Sequence, residues 1–403
     1  MSDPYYQATL PSHVPPHLVH DFNVYDFGDE DPFVACRNLY DRQIEPVFWT
    51  RHNGGHWIVR NSETITEVTR KPALFSSSRN AVPDSMNSDI PLFLPILADP
   101  PDHAGYRSLV APLLSPRRVA EIERKLHDLT ATIIENLVER GECEFMADFS
   151  TQMPIIAFLE LLDLPLSDRE YLLDIANRVV KPKEGEDRLG PMNELFDYLR
   201  PVLRKRIAAP GSDALSQLVS STIDGKAVDF EDFVILAASL VLGGLDSTAA
   251  TIAYFARHLA DFPADRRMLI DNPSLIPLAV DEIFRRFAPG TLGRILTEDA
   301  EFHGVPMREG DHVQWVVAMH NLDDALYPDP LKVDFNRKRV AHHTFGTGIH
   351  FCIGAQLART EMRIFAEHWL RRIPNFSVKP DAQIKYRSGI NICFENLPLV
   401  FEN

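Results

Sequence analysis

Two periods of apolar spacing divide this chain. From Ser115 to about Pro210, apolar residues recur every three to four positions, the period of helices with one buried face. RRVAEIERKLHDLTATIIENLVERG shows it most clearly, and Gly141 closes that run. Upstream, PVFWTRHNGGHWIVRN (Pro46–Asn61) sets two β-rich arms around Asn-Gly-Gly and predicts a hairpin. SETITEVTRKPALF predicts a helix that starts at Ser62 and ends near Pro72. Downstream, FHGVPMREGDHVQWVVAMHNL predicts a small β unit entering a helix, and NFSVKPDAQIKYRSGI and LPLVFEN predict short strands.

The longest element differs from these. Asp229 caps a stretch without proline or strong breaker until Pro263, a helix of about 48 Å at the usual rise per residue. Between Phe233 and Ala256 it carries one charge. Its length would cross a bilayer. Gly243, Gly244, Asp246, Ser247 and Thr248 occupy the middle, however, where polar groups are most costly in lipid. A core helix, apolar on nearly all sides, is the expectation. No repeat, low-complexity tract or linker interrupts the chain. The pattern therefore predicts a mainly α fold with a long central helix and small β-sheets, one domain over 1–403 with a proline-punctuated arm at 1–20.

Composition removes several function classes. The 403 residues are 45% hydrophobic and 24% charged, as in an ordinary globular protein, and the net charge is −16. No basic stripe stands out, so nucleic-acid binding is set aside, while a local basic patch for an acidic protein partner stays open. Cys36, Cys143, Cys352 and Cys393 form no CxxC pair, which argues against a disulfide framework or zinc site. With no signal-like segment at the start, a reducing cytoplasm and no membrane are expected.

Chemistry concentrates at HTFGTGIHFCIG (343–354). Downstream, Ala358, Met362, Phe365, Ala366, Trp369 and Leu370 recur at helical spacing until Pro374, which puts Cys352 at a helix N-terminus, where the dipole and free N–H groups favour a thiolate. Gly346, Gly348 and Gly354 allow turns and close approach. A thiolate ringed by N–H groups and pressed against something flat suits a metal-bound sulfur. Cys36, Cys143 and Cys393 read as inert buried thiols.

Phe345-x-x-Gly348-x-His350-x-Cys352-x-Gly354 resembles the haem-ligand loop of the haem-thiolate monooxygenases, the cytochromes P-450. The resemblance implies haem b (protoporphyrin IX iron) held by Cys352, with Phe345 and Gly346 in the cofactor loop and dioxygen as co-substrate. CxxCH is absent, so covalent haem attachment is not expected. Glu282-Ile-Phe-Arg285 matches the family's helical Glu-x-x-Arg, and Arg337 stands where the family supplies a second arginine; all three are expected to be structural. Glu121-Ile-Glu-Arg124 fits the same short pattern but precedes the long helix. The resemblance assigns His103, Arg107, Arg294 and His350 to the haem propionates. Asp246, Ser247 and Thr248 would relay protons to dioxygen as it is cleaved. The family usually has threonine after that acid; here Ser247 supplies the hydroxyl without the methyl that restrains its rotamer. Lys181 lies where relatives place a cation for the helix acid.

NGGHWI, GGLDS, GRILT, FHGV, HTFG and RIPNFS extend the likeness to the bacterial soluble class and its camphor hydroxylases. That class implies a [2Fe-2S] ferredoxin, a flavoprotein ferredoxin reductase and electrons from NAD(P)H. An acidic ferredoxin would dock at the thiolate face near Arg107 and Arg339, and a monomer is expected. Camphor-hydroxylating relatives offer a tyrosine hydroxyl ahead of Asp-Pro-Pro, whereas Ile90–Ala98 contains no hydroxyl. Phe93, Leu94, Leu242, Gly243, Leu292 and Ile390 would line an apolar pocket with Asn391 as its polar residue, fit for a small terpenoid or norisoprenoid. A peroxide-driven peroxygenase would not need Asp246 and Ser247. A haem-based gas sensor would leave them idle and would need an output domain.

Overall fold

The computed structural model describes residues 8–87, 93–180, 189–338 and 340–402. It is mainly helical with small sheets, as the apolar spacing predicts. One buried apolar cluster runs from Ala8 to Leu399 among the described residues. At its centre lies the stretch after Asp229, whose carboxylate accepts the Glu231 N–H at 2.8 Å and starts the helix. Most of its apolar window, 78%, is buried in protein, so a segment long enough for a membrane is a core element here.

That segment is two helices rather than one. Phe230–Gly243 and Leu245–Asp261 meet at Gly244, where the backbone turns to φ −100° and ψ −16°. The Phe158 ring occupies the place a Cβ at Gly244 would take, so only glycine lets the two helices pack there. Glycine also forms a poor helix interior, and the hydrogen-bond ladder yields at this point.

Pro116–Arg140 ends at Gly141, left-handed at φ 72°, whose N–H reaches the Leu137 and Val138 carbonyls. The helical period from Ser115 to Pro210 is then broken by a strand it does not predict. Glu142–Glu144 pairs antiparallel with Pro398–Phe401, which also pairs with Phe376–Val378. Three residues are too few for an alternation to show. The hairpin forms as expected, Val47–Thr50 against His56–Val59, in a sheet completed by His312–Val316, Thr291–Leu296 and Phe75–Ser76. Asn61 rather than Ser62 caps the following helix, accepting the Thr64 N–H at 2.9 Å.

Beside the cysteine loop, the helix Ile276–Arg286 carries the fully buried pair of Glu282 and Arg285. Arg285 Nε and Nη2 donate to Glu282 Oε2 and Oε1 at 2.8 Å each, a bidentate fork. Arg337 Nε donates to Oε1 at 3.3 Å and the Asp334 N–H at 3.0 Å. The rest of the Arg285 fork reaches the carbonyls of Asn321, Pro330 and Lys332. One turn of helix thus ties down the segment that leads into the cysteine loop. Thr344 extends the tie by donating to the Phe284 carbonyl at 2.6 Å and accepting from Asn321 Nδ2 at 3.0 Å. Glu121, the other pattern match, pairs with exposed Arg117 and half-buried Arg118 instead.

Removing one member of a buried pair strands the other charge. Glu282→Ala is expected to cost about 3–5 kcal/mol, and Glu121→Ala less than about 0.5 kcal/mol. Denaturant unfolding of the two variants checks the contrast.

Candidate active site

The cysteine loop closes on itself through Cys352 N–H to the Phe345 carbonyl at 2.8 Å and Gly346 N–H to the His343 carbonyl at 2.7 Å. Gly346 and Gly348 are left-handed at φ 71°. A Cβ at Gly348 would sit 2.7 Å from the Thr69 carbonyl oxygen, so this glycine is also what lets the loop lie on the helix Ser62–Arg70. Gly354 then starts the helix Ala355–Arg372, whose buried face holds the apolar positions named from the sequence. The Phe345 ring packs between Phe284 and the Arg359 guanidinium, 4.5 Å away.

Burial pushes the Cys352 thiol pKa up, while the Gly354 and Ala355 N–H groups and the Arg107 and Arg359 guanidiniums oppose that shift. Protein surrounds the residue on nearly all sides, yet water reaches it, and its neighbour Phe351 is exposed as well. Cys352 is thus the exposed one of the four cysteines, the other three being buried. Cys36 and Cys143 differ: burial pushes both thiols up, and nearby carboxylates add to it.

Four nitrogen-bearing side chains gather near this loop. The His103 and His350 rings lie 4.4 Å apart, and His350 Nε2 is 3.0 Å from Ser77 Oγ. Burial, then the positive fields of Arg294, His103 and Arg107, depress the His350 pKa to about 3. Arg294 is itself buried and held down at about 10 by desolvation, partly offset by Asp99. His103 Nε2 is buried with no hydrogen-bond partner among the described residues. Arg107 donates to the Phe351 carbonyl beside the cysteine. Guanidiniums and imidazoles crowded this way, with an orphaned ring nitrogen, are short of anions. Two carboxylates of a flat macrocycle resting on Cys352 would meet that need, so the residues fit haem.

Across the helix break, Gly243 is exposed in the middle of an otherwise buried element, and a Cβ there would meet nothing within 4 Å. Ser247, one turn on, is half-buried, whereas Thr248 is buried. Of the two hydroxyls, Ser247 is the one that shares the open side with Gly243. Asp246 is 8% exposed. Its Oδ1 accepts from Arg387 Nη2 at 2.8 Å and its Oδ2 from Asn391 Nδ2 at 3.1 Å. The sequence reading missed Arg387 altogether: in KYRSGI it looks like any tail cation, and its strand of two residues has no pattern to register. Asn391, expected to orient a ligand, spends an amide hydrogen on the acid.

Of the expected pocket residues, Leu94 and Leu242 are buried, Phe93 and Leu292 half-buried, and Ile390 is 52% exposed. Ile390 and Asn391 are joined to the strand bearing Leu292, through Thr291 N–H to the Ile390 carbonyl at 2.9 Å and a bridge between Gly290 and Asn391. Lys181, Arg339 and 90–92 of the hydroxyl-free stretch lie outside the described residues.

Comparison with known proteins agrees with this geometry. The Cytochrome P450 family profile matches residues 269–389, which includes Glu282, Arg285, Arg337 and Cys352. A probable cytochrome P450 127A1 of Sinorhizobium fredii is 30% identical over 383 residues, covering 92% of this chain and 91% of that protein. Linalool 8-monooxygenase of Pseudomonas putida is 28% identical, covering 92% and 99%. Among solved structures, CYP101J2 superposes with a TM-score of 0.93 at 32% identity, covering 98% of this chain and all of that one. CYP101C1 gives 0.90 at 33% with the same coverage. The chain belongs to the cytochrome P450 family, the monooxygenases that carry haem and use dioxygen.

Proposed function

We propose that this chain is a ferredoxin-dependent monooxygenase that hydroxylates a small, hydrocarbon-rich substrate of terpenoid or norisoprenoid type. The observation that carries the reading is Cys352, the exposed cysteine, with the Gly354 and Ala355 N–H groups at its sulfur and the Arg107 and Arg359 guanidiniums near it. Cys352 would hold the haem iron through its sulfur, with Phe345 and Gly346 shaping the loop. His103, Arg107, Arg294 and His350 hold the propionates. When bound, the haem with its thiolate supplies the redox chemistry that splits dioxygen and inserts one atom into a C–H bond, the other leaving as water.

The chain's own residues do the rest. Gly243 keeps space open beside the reacting group, and Leu242, Leu292, Ile390, Phe93 and Leu94 exclude water and shape the pocket. Asp246 takes protons from solvent and passes them through the Ser247 hydroxyl; Thr248, buried, is a spectator. A relative that acts on linalool by its name supports a terpenoid-sized substrate. Electrons come from NAD(P)H through a flavoprotein reductase and a [2Fe-2S] ferredoxin that docks near Arg107 and Arg339. Residues 1–403 work as one domain, with 1–20 as an arm, in a cytoplasmic monomer.

The ferrous carbon monoxide complex is expected to show the red-shifted Soret band of thiolate ligation, and Cys352→His to lose it; a wild-type band typical of nitrogen ligation would overturn the assignment. Ser247→Ala is expected to divert most electrons to hydrogen peroxide, whereas Thr248→Ala stays near wild type, read as peroxide released per NADH consumed. Titrating the spin-state change with ring compounds should rank apolar terpenoids and norisoprenoids above camphor, and tighter camphor binding would exclude an unanchored apolar pocket.

A further inference from the structure

Two of the donors to the Asp246 carboxylate, Arg387 and Asn391, belong to the same short hairpin. Tyr386–Arg387 pairs antiparallel with Cys393–Phe394, and the turn between them carries Ile390 and Asn391. Arg387 Nη2 donates to Asp246 Oδ1 at 2.8 Å and to Cys393 Sγ at 2.7 Å, so one nitrogen ties the acid to the hairpin's second strand. Asn391 Nδ2 holds the other carboxylate oxygen. The turn is pinned from outside by Ile392 N–H to the Pro289 carbonyl at 2.8 Å and Thr291 N–H to the Ile390 carbonyl at 2.9 Å. Tyr254 donates to the Ile392 carbonyl at 2.9 Å from the helix that bears Asp246. Between the two donors, Ile390 is the exposed residue of an otherwise fastened turn.

We propose that Arg387 is a positioning residue for proton delivery: with Asn391 it clamps the Asp246 carboxylate from the turn that presents Ile390 to substrate, so the position of that turn sets when the acid exchanges protons. The inference rests on Asp246 serving as the proton relay. To work as one, the carboxylate takes a proton from water, rotates, and gives it up through the Ser247 hydroxyl, returning to its starting charge. A carboxylate held on both oxygens by a guanidinium and an amide is fixed in one orientation. Substrate packed on Ile390 shifts the turn and with it both donors. Without the clamp, protons are delivered out of step with substrate and electrons leave as peroxide.

The test uses the full-length haem-loaded enzyme with its redox partners and a substrate that gives a spin shift. Arg387→Gln is expected to leave the substrate's spin-shift affinity unchanged while product per NADH falls by about ten-fold, peroxide rises to match, and the solvent isotope effect on turnover changes. Arg387→Lys should restore most of the coupling. Independently of activity, the unfolding-temperature shifts of Arg387→Gln and Asp246→Asn should be non-additive in the double variant. Additive shifts, or wild-type coupling in Arg387→Gln alongside a crippled Asp246→Asn, would overturn the clamp and leave the relay intact. Wild-type turnover and coupling in Asp246→Asn would bring down the relay and the clamp together.

Discussion

A sulfur anion must be kept inside the protein with one side open, and the rest of the fold answers to that requirement. Burial alone pushes the Cys352 thiol towards its neutral form. What opposes it is local and geometric: two N–H groups at a helix start, and guanidiniums from Arg107 and Arg359. Those N–H groups point at the sulfur because glycines at 346 and 348 turn the loop back over the helix end. Replacing either with a residue bearing a Cβ would strain the backbone, and at 348 would also collide with the Thr69 carbonyl.

A loop bent this way does not hold its own shape. The Glu282–Arg285 pair is fully buried, and such a pair seldom stabilises a fold over an apolar alternative. Its value here lies in what its spare donors reach. Arg285 satisfies three carbonyls of the 321–332 segment, and Thr344 links the cysteine loop to the same helix through the Phe284 carbonyl. Segments with little regular structure are thereby given one arrangement, and the loop inherits it. The charge pair thus contributes position at the sulfur more than net stability.

These two layers were unequally legible in the sequence. Helices with a strong apolar period, the hairpin around Asn53-Gly54-Gly55 and the glycine-flanked cysteine could be read because each depends on neighbours a few positions away. The break at Gly244 could not be read, since the Phe158 ring that fills the place of a Cβ there lies far off in the chain. The strand Glu142–Glu144 exists because Pro398–Phe401 pairs with it, across more than 250 positions. Asp246 stood out as an acid in an apolar helix, but its partner Arg387 did not: an arginine in a polar tail has no local signature. The helix expected to start at Ser62 does so, with Asn61 in extended backbone as its cap.

An apolar pocket above such a sulfur has a definite limit. Each methylene that fits or fails to fit changes binding by only about 1–3 kcal/mol, so shape alone sorts related hydrocarbons weakly. A hydrogen bond to substrate would sort them far better, and Asn391, the polar residue expected at the pocket, gives an amide hydrogen to Asp246. Selectivity of the whole reaction then has to come from a later stage than binding. Under the proposed clamp, a poorly seated substrate that enters would meet a proton supply out of step with it, and electrons spent on it would be lost rather than turned into product. In this arrangement the polar residues that a stricter enzyme would point at its substrate are pointed at the acid instead, and fidelity moves from affinity to coupling.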